Sequence, residues 1–331
     1  MNAPIHSIRW GLALGVFLGS AHVEASQTPS SARLLVLLRD ASALAIVDPV
    51  AGTVLGRVPT VRSPHEVTAS EDGKLAFVAS PSGGISVIDL EAQTELRRLE
   101  IGPGSEPHDV RFAGGKLYFT AEGYKVIGRY DPRSDQVEWL LGIGQDGTHM
   151  LVLSKDHNTI FTANRGSNTV TVVEDVAAGP PNWRVTAIPV GGDFPEGIDL
   201  SPDGREIWTA TRNDGGISII DVATREVIQR LDLNMQDANR LQFTPDGKRV
   251  LISDGAGNSF VVLDAVARTE ITRLALAPNA LLVQPDGSLA YAALRGDNSV
   301  AVIDLKTLEV TGQIPTGPGS GPGCMFWLEA T

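Results

Sequence analysis

The chain is poor in cysteine, in basic charge and in long apolar runs, and each shortage excludes something. Of its 331 residues one is cysteine, Cys324, so no intramolecular disulfide forms and the core alone must hold the fold. Lysine and arginine number 27 against 39 acids, a net charge of -12. Phosphate binding needs a basic stripe, so nucleic acid is not an expected partner. The only sustained apolar run is Trp10 to Ala21, too short for the roughly twenty residues of a membrane span. With Arg9 before it and Val23-Glu24-Ala25 after it, this reads as a secretory signal over 1–25, with Ala21 a second cleavage candidate. No cysteine follows it to carry a lipid anchor. The expected product is a periplasmic or secreted protein with no membrane span after signal removal. No long helical periodicity is present either.

What the chain has in abundance is repetition. Asp-Gly recurs at 72–73, 203–204, 246–247 and 286–287, with Gly114-Gly115 and Asp156-His157 in the gaps. A short β-prone run ending in an acid marks Asp48, Asp89, Asp131, Glu174, Asp221, Asp264 and Asp304, spaced 41, 42, 43, 47, 43 and 40 residues. Seven marks at about forty residues is the period of four-stranded propeller blades. Within a copy the period is two, as in Glu196–Leu200, Ile207–Ala210 and Gly216–Asp221, so the elements are strands. The N-terminal copy lacks an inner strand, while Pro322–Trp327 is an inner strand with nothing after it. Pairing the two closes a ring and hides its sheet edges. The expected fold is all-β, a single seven-bladed β-propeller over 33–331 whose last blade joins N-terminal strands to a C-terminal inner strand. It needs no second copy, so a monomer is expected.

Ser201-Pro202-Asp203-Gly204, Phe161-Thr162-Ala163-Asn164 and Val300–Asp304 resemble the YVTN-repeat, YncE-type propellers, and the resemblance covers essentially all of the chain after the signal. It implies the propeller fold. For function it implies less, because that family includes binding proteins, redox-associated proteins and lactonase-like members. Tyr118–Glu122 with Ile127-Gly128-Arg129 also resembles one streptogramin-lyase blade.

The position opening each inner strand reads His65, His108, His149, Glu196, Asn239, Asn279 and Gly323 around the ring. Six polar residues and a glycine suit the rim of a channel better than packing. His65, His108, His149 and Glu196 are candidate ligands for a divalent transition metal: zinc, iron, copper or manganese. Glu66 and Asp109 could buttress the histidines or face elsewhere. Repeat duplication and backbone hydrogen bonding explain the same histidines without any metal. The loops after the second strands carry Arg39, Glu122, Arg165, Arg212, Asp254 and Arg295. With Asn239 and Asn279, the residues Arg39, Glu122, Arg165, Arg212 and Arg295 form a candidate binding ring for a small anion, since guanidinium pairs carboxylate or phosphate in bidentate fashion. Pairing with Asp40, Asp214 or Asp297 is the plain alternative for these arginines. Cys324 could be a thiol nucleophile, a soft ligand or a small buried hydrophobe. Two functions follow: a binding protein holding a small anionic molecule, a metal or a protein partner at the channel mouth, or a metal-dependent lactonase or lyase on the same rim.

Overall fold

The computed structural model describes Met1, residues 32–176 and residues 182–329; the signal expected over 1–25 otherwise lies outside them. The chain forms seven four-stranded antiparallel sheets. In the closing blade Pro322–Leu328 is innermost, followed outward by Arg33–Leu38, Ala43–Asp48 and Thr53–Pro59. Leu35 lies opposite Phe326 in that junction, so the termini pair as the missing strands required. The other six blades, numbered one to six here, follow in chain order. Their inner strands are Glu66–Ala69, Pro107–Ala113, Thr148–Leu153, Pro195–Leu200, Ala238–Phe243 and Ala280–Val283. Each inner strand touches the next, and Pro322–Leu328 touches both Glu66–Ala69 and Ala280–Val283. No helix among the described residues is long and apolar enough to cross a membrane.

Position within the blade dictates composition. A middle strand such as Val250-Leu251-Ile252 is buried throughout, because neighbouring blades cover both of its faces. An outermost strand such as Glu226–Asp232 alternates exposed and covered residues, since one face meets water. The core therefore lies between blades: Trp208, Ile217 and Ile219 of blade four pack with Leu241, Phe243 and Val250 of blade five.

The repeated acids are turn formers. Asp48 Oδ1 accepts the Val50 and Ala51 N–H groups at 2.9 Å, and Asp89, Asp264 and Asp304 repeat the arrangement. Asp203 accepts from Ser201 Oγ at 2.7 Å, and Gly204 takes a φ of 76° that other residues resist. His157 stands in the same left-handed place, exposed on its turn.

Side chains of the inner strands also bridge blades. Thr68 Oγ1 accepts Phe112 N–H at 3.3 Å, Asp109 Oδ2 accepts Leu151 N–H at 2.8 Å, Asp199 Oδ2 accepts Phe243 N–H at 2.8 Å and Gln242 Oε1 accepts Val283 N–H at 2.9 Å. Adjacent inner strands carry no continuous ladder between them, so these polar side chains satisfy N–H groups that would otherwise be buried unpaired.

Candidate functional site at the channel mouth

Why do the rim side chains leave the blade interfaces at all? The inner strands of blades two to five carry β-bulges at this level. The pairing register shifts between Pro107 and Val110, Thr148 and Met150, Pro195 and Ile198, and Ala238 and Arg240. His108, His149, Glu196 and Asn239 all fall inside those shifts. A bulge inserts a residue and re-aims its side chain, here toward the channel. Hydroxyls on the second strand satisfy the displaced backbone: Thr120 Oγ1 accepts Asp109 N–H and donates to His149 O, and Thr209 Oγ1 donates to Gly197 O.

The three imidazoles lie in one row, edge-on between His65 and His108 and tilted between His108 and His149. Ring centroids are 5.0 Å apart for His65 and His108, and 3.7 Å for His108 and His149. His65 is fully committed: Arg39 Nη2 lies 2.7 Å from Nε2, and Ser63 O lies 2.8 Å from Nδ1. Guanidinium can only donate, so Nε2 accepts and the proton sits on Nδ1. Burial, then the charge of Arg39, lowers the His65 pKa to about 4, consistent with that neutral tautomer. His108 is held well below its ordinary value by burial and by its two histidine neighbours.

His108 and His149 differ from His65 in having unused nitrogens. His108 Nδ1 and His149 Nε2 are buried without a hydrogen-bond partner. His149 Nδ1 meets Glu122 Oε1, which acts only as an acceptor when ionised, so Nδ1 carries hydrogen. Glu196 Oε1 lies 3.4 Å from His149 Nε2. Burial raises the Glu196 pKa, but His149, Arg240 and Arg212 outweigh it and hold the carboxyl well below the usual range. The donor atoms of His108, Glu122 and His149 lie within 4.8 Å of one another, a set of N and O groups that could hold a metal.

The arginine ring is mostly neutralised from within. Arg165 donates to Glu122 Oε2 at 2.7 Å, Arg212 to Glu196 Oε2 at 3.0 Å and to Asp237, and Arg295 to Asp40. Asp254 accepts from Gln236, Asp237 and Gly257 N–H groups and is structural. Asn239 Oδ1 accepts from Arg240. The Asn279 amide, oriented to its acceptors, donates to Ala293 O and Pro322 O. Arg39 stands apart. Its Nε is buried without a partner, its hydrogen bond goes to an imidazole, and no carboxylate of the described residues ion-pairs with it. It crosses the rim above Gly323, where an added Cβ would stand 3.0 Å from Arg39 Cδ. The glycine of the rim is the space this arginine occupies.

Sequence reasoning left open where Glu66 and Asp109 face, and overlooked Arg240, one place deeper than the rim, and Arg111 and Asp199, three places deeper. Glu66 Oε1 accepts from Arg240 Nη2 at 2.6 Å, its other oxygen accepts from the Cys324 thiol, and Arg240 Nη1 reaches Glu196 Oε1 at 3.2 Å. Arg240 thus bridges two acids across the channel, and Glu66 and Asp109 face this network and the blade interface. Their signal was available: charges in a strand column where packing asks for apolar residues. Burial raises the Cys324 pKa, and the adjacent Glu66 adds to it, so the thiol stays protonated.

Against known proteins, none of the family models matches the chain. YncE of Salmonella typhi, an uncharacterized protein, is 29% identical over 178 residues, 51% of this chain and 49% of YncE. NirF of Stutzerimonas stutzeri is 24% identical over 233 residues, 62% of this chain and 58% of NirF. The chain is a YncE-like seven-bladed β-propeller. The match spans about half the length of these curated relatives. Among solved structures, a protein of unknown function from Desulfotomaculum acetoxidans superposes with a TM-score of 0.74 at 12% identity, covering 90% of this chain and 99% of that one. A putative 6-phosphogluconolactonase from Bacteroides uniformis gives 0.71 at 18%, covering 90% and 99%. The dihydro-heme d1 dehydrogenase NirN in complex with DHE gives 0.65 at 15%, covering 90% and 75%. At these identities the structures establish the fold of the YncE-like propeller and no more.

One titration in the channel is open to measurement. Asp199 is half-buried; burial raises its pKa to about 6, against the pull of the Phe243 and Leu200 N–H groups and Arg111. The folded pKa exceeds the unfolded value of about 3.9, so the native state binds more protons between them. Stability from this group is full below about pH 4 and falls as pH rises through about 6. Asp199→Asn should shrink the stability difference between pH 4.5 and 7 by about 1–2 kcal/mol, a figure reduced for screening by channel water. Urea unfolding at pH 4.5 and 7 checks it; an identical difference in both proteins would refute the assignment.

Proposed function

We propose that this YncE-like propeller is an exported binding protein whose channel mouth holds a small anionic ligand together with a divalent transition metal. The observation that carries the reading is the orphaned buried His108 Nδ1 together with His149 Nε2, which makes no hydrogen bond and faces the Glu196 carboxylate at 3.4 Å, with Glu122 on the other ring nitrogen. Buried polar atoms without partners are rare and call for an unseen one. His108, His149 and Glu196 would hold the metal, with zinc, iron, copper or manganese compatible with such N/O donors. Glu122 on His149 Nδ1 is the carboxylate buttress typical of ligating histidines. The 3.4 Å between His149 Nε2 and Glu196 Oε1 fits neighbouring ligand atoms that each lie about 2.0–2.2 Å from one tetrahedral ion. His65 has no free nitrogen, so its role is to hold Arg39. That guanidinium, which forms no ion pair among the described residues, supports an anion as ligand, and a bound dication beside it strengthens the attraction. When bound, the metal would supply Lewis acidity; the residues here fix its position and the orientation of the anion.

Elemental analysis of untagged protein and of the His108→Ala and His149→Ala variants tests this. Stoichiometric metal in the parent and less than a tenth of it in both variants is expected, with His65→Ala retaining the metal. A parent that stays metal-free after loading with each of the four ions would sink the metal half of the reading. Turnover of a lactone panel by the loaded protein would move it from carrier to enzyme.

A further inference from the structure

Below the rim lies a chamber of about 280 Å³. Its walls come from inner-strand positions one to three residues past the rim. Arg111, Asp199 and Gln242 give it a polar side, while Val152, Leu282 and Phe326 give it an apolar one. Leu282, Phe326, Asp199 and Gln242 also line a second cavity of about 380 Å³, flanked by Pro202, Pro245, Pro285 and Trp327. These three prolines belong to the Pro-Asp-Gly turns, at the opposite end of the blades from the histidines. The chamber therefore opens on the other face of the ring.

The polar side carries unspent capacity. Arg111 Nε donates to Leu151 O at 3.3 Å, and Nη2 lies 3.5 Å from Asp109 Oδ2. Beyond that its two Nη groups make no hydrogen bond among the described residues, and neither does Gln242 Nε2. Asp199 and Arg111 feel each other's charge, yet they form no ion pair. They face one chamber from blades four and two, with Val152 of blade three between them at the same level. Glu66 and Arg240, which also touch the chamber, are committed to each other. A split acid and base beside an apolar wall is the arrangement that recognises a small zwitterion: carboxylate to Arg111 and Gln242, ammonium to Asp199, apolar body to the far wall.

We infer that this chamber is a second binding site, entered from the face opposite the histidines, for a free amino acid with an apolar side chain. It is independent of the metal.

Isothermal titration of the full untagged chain with L-leucine and L-methionine at pH 7.5 tests the proposal. Saturable binding of at least one is expected. For the amino acid that binds, Arg111→Gln and Asp199→Asn should each weaken affinity at least tenfold. If leucine binds, 4-methylpentanoate and 3-methylbutylamine, each lacking one charge, should also bind at least tenfold more weakly. Leu282→Trp fills the chamber without touching the charges and should abolish binding while the circular dichroism spectrum is retained. His108→Ala should leave the affinity unchanged. No binding of either amino acid at millimolar concentration overturns the proposal, as does full affinity in folded Leu282→Trp or loss in His108→Ala.

Discussion

Replacing Arg240 with methionine should destabilise the protein by about 3–5 kcal/mol at pH 7.5, because it strands charges that no longer have a partner. The guanidinium is 14% exposed and joins Glu66, 1% exposed, to Glu196, 5% exposed. Glu196 would keep Arg212 and His149. Glu66 would keep a hydrogen bond from Cys324 and the charge of Arg111, with no ion pair among the described residues. At present burial pushes its pKa up, but Arg240 and Arg111 outweigh that and hold the carboxyl below the ordinary value. Without Arg240 the balance reverses: the folded pKa rises above the unfolded one, and the penalty shrinks as pH falls and Glu66 takes a proton. Adding Glu66→Gln to the variant should therefore recover most of the loss. Guanidinium unfolding at pH 5 and 7.5 measures both effects. A loss below about 1 kcal/mol would show that the network contributes little beyond its own desolvation.

The second large effect falls on Gly197. Its φ is ordinary; what it provides is closeness. A Cβ there would stand 2.8 Å from Asn239 O, 3.0 Å from Arg240 Cα and 3.0 Å from Leu241 N. All three are backbone atoms of the next inner strand, so no rotamer change relieves the contact. Gly197→Ala should cost about 1–3 kcal/mol and Gly197→Val more, since overpacking forces backbone shifts. Glu196 precedes the glycine and Arg240 is one of the clashing residues, so the same substitution should lower metal content in step with stability. Unfolding midpoints together with elemental analysis check this. Unchanged metal in a destabilised variant would separate the rim from the strand spacing.

Much of the ring was legible because each blade repeats the same turn chemistry. Asp-Gly and the strand-ending acids mark places where only a few residues form the turn, so counting them counted the blades. The unpaired inner strand at one end and its missing counterpart at the other foretold the closure. The rim column was legible for the same reason. What could not be read was which side chains meet across blades. Glu122 reaches His149 from the preceding blade, and Arg240 reaches back to Glu66, 174 positions earlier in the chain. Those contacts depend on bulges and on a channel radius that no local pattern encodes. Neither Arg295 nor Arg212 takes the acid nearby in sequence: Arg295 pairs with Asp40 across the ring closure, and Arg212 turns to Asp237 and leaves Asp214 to Arg230.

The closing blade has a consequence for the order of events during synthesis. Arg33–Leu38 is made early, yet its inner neighbour, Pro322–Leu328, is made almost three hundred residues later. Until then the first strands of the ring present an open edge, and the last full blade has no neighbour on one side. Sealing the circle is a single long-range event, and such contacts are slow to form because loop closure precedes their reward. A chain ending before Pro322 would therefore lose its clasp, leaving six whole blades and a three-stranded remnant on an arc with two exposed ends. Such a product should be recognised by its appetite for other copies of itself.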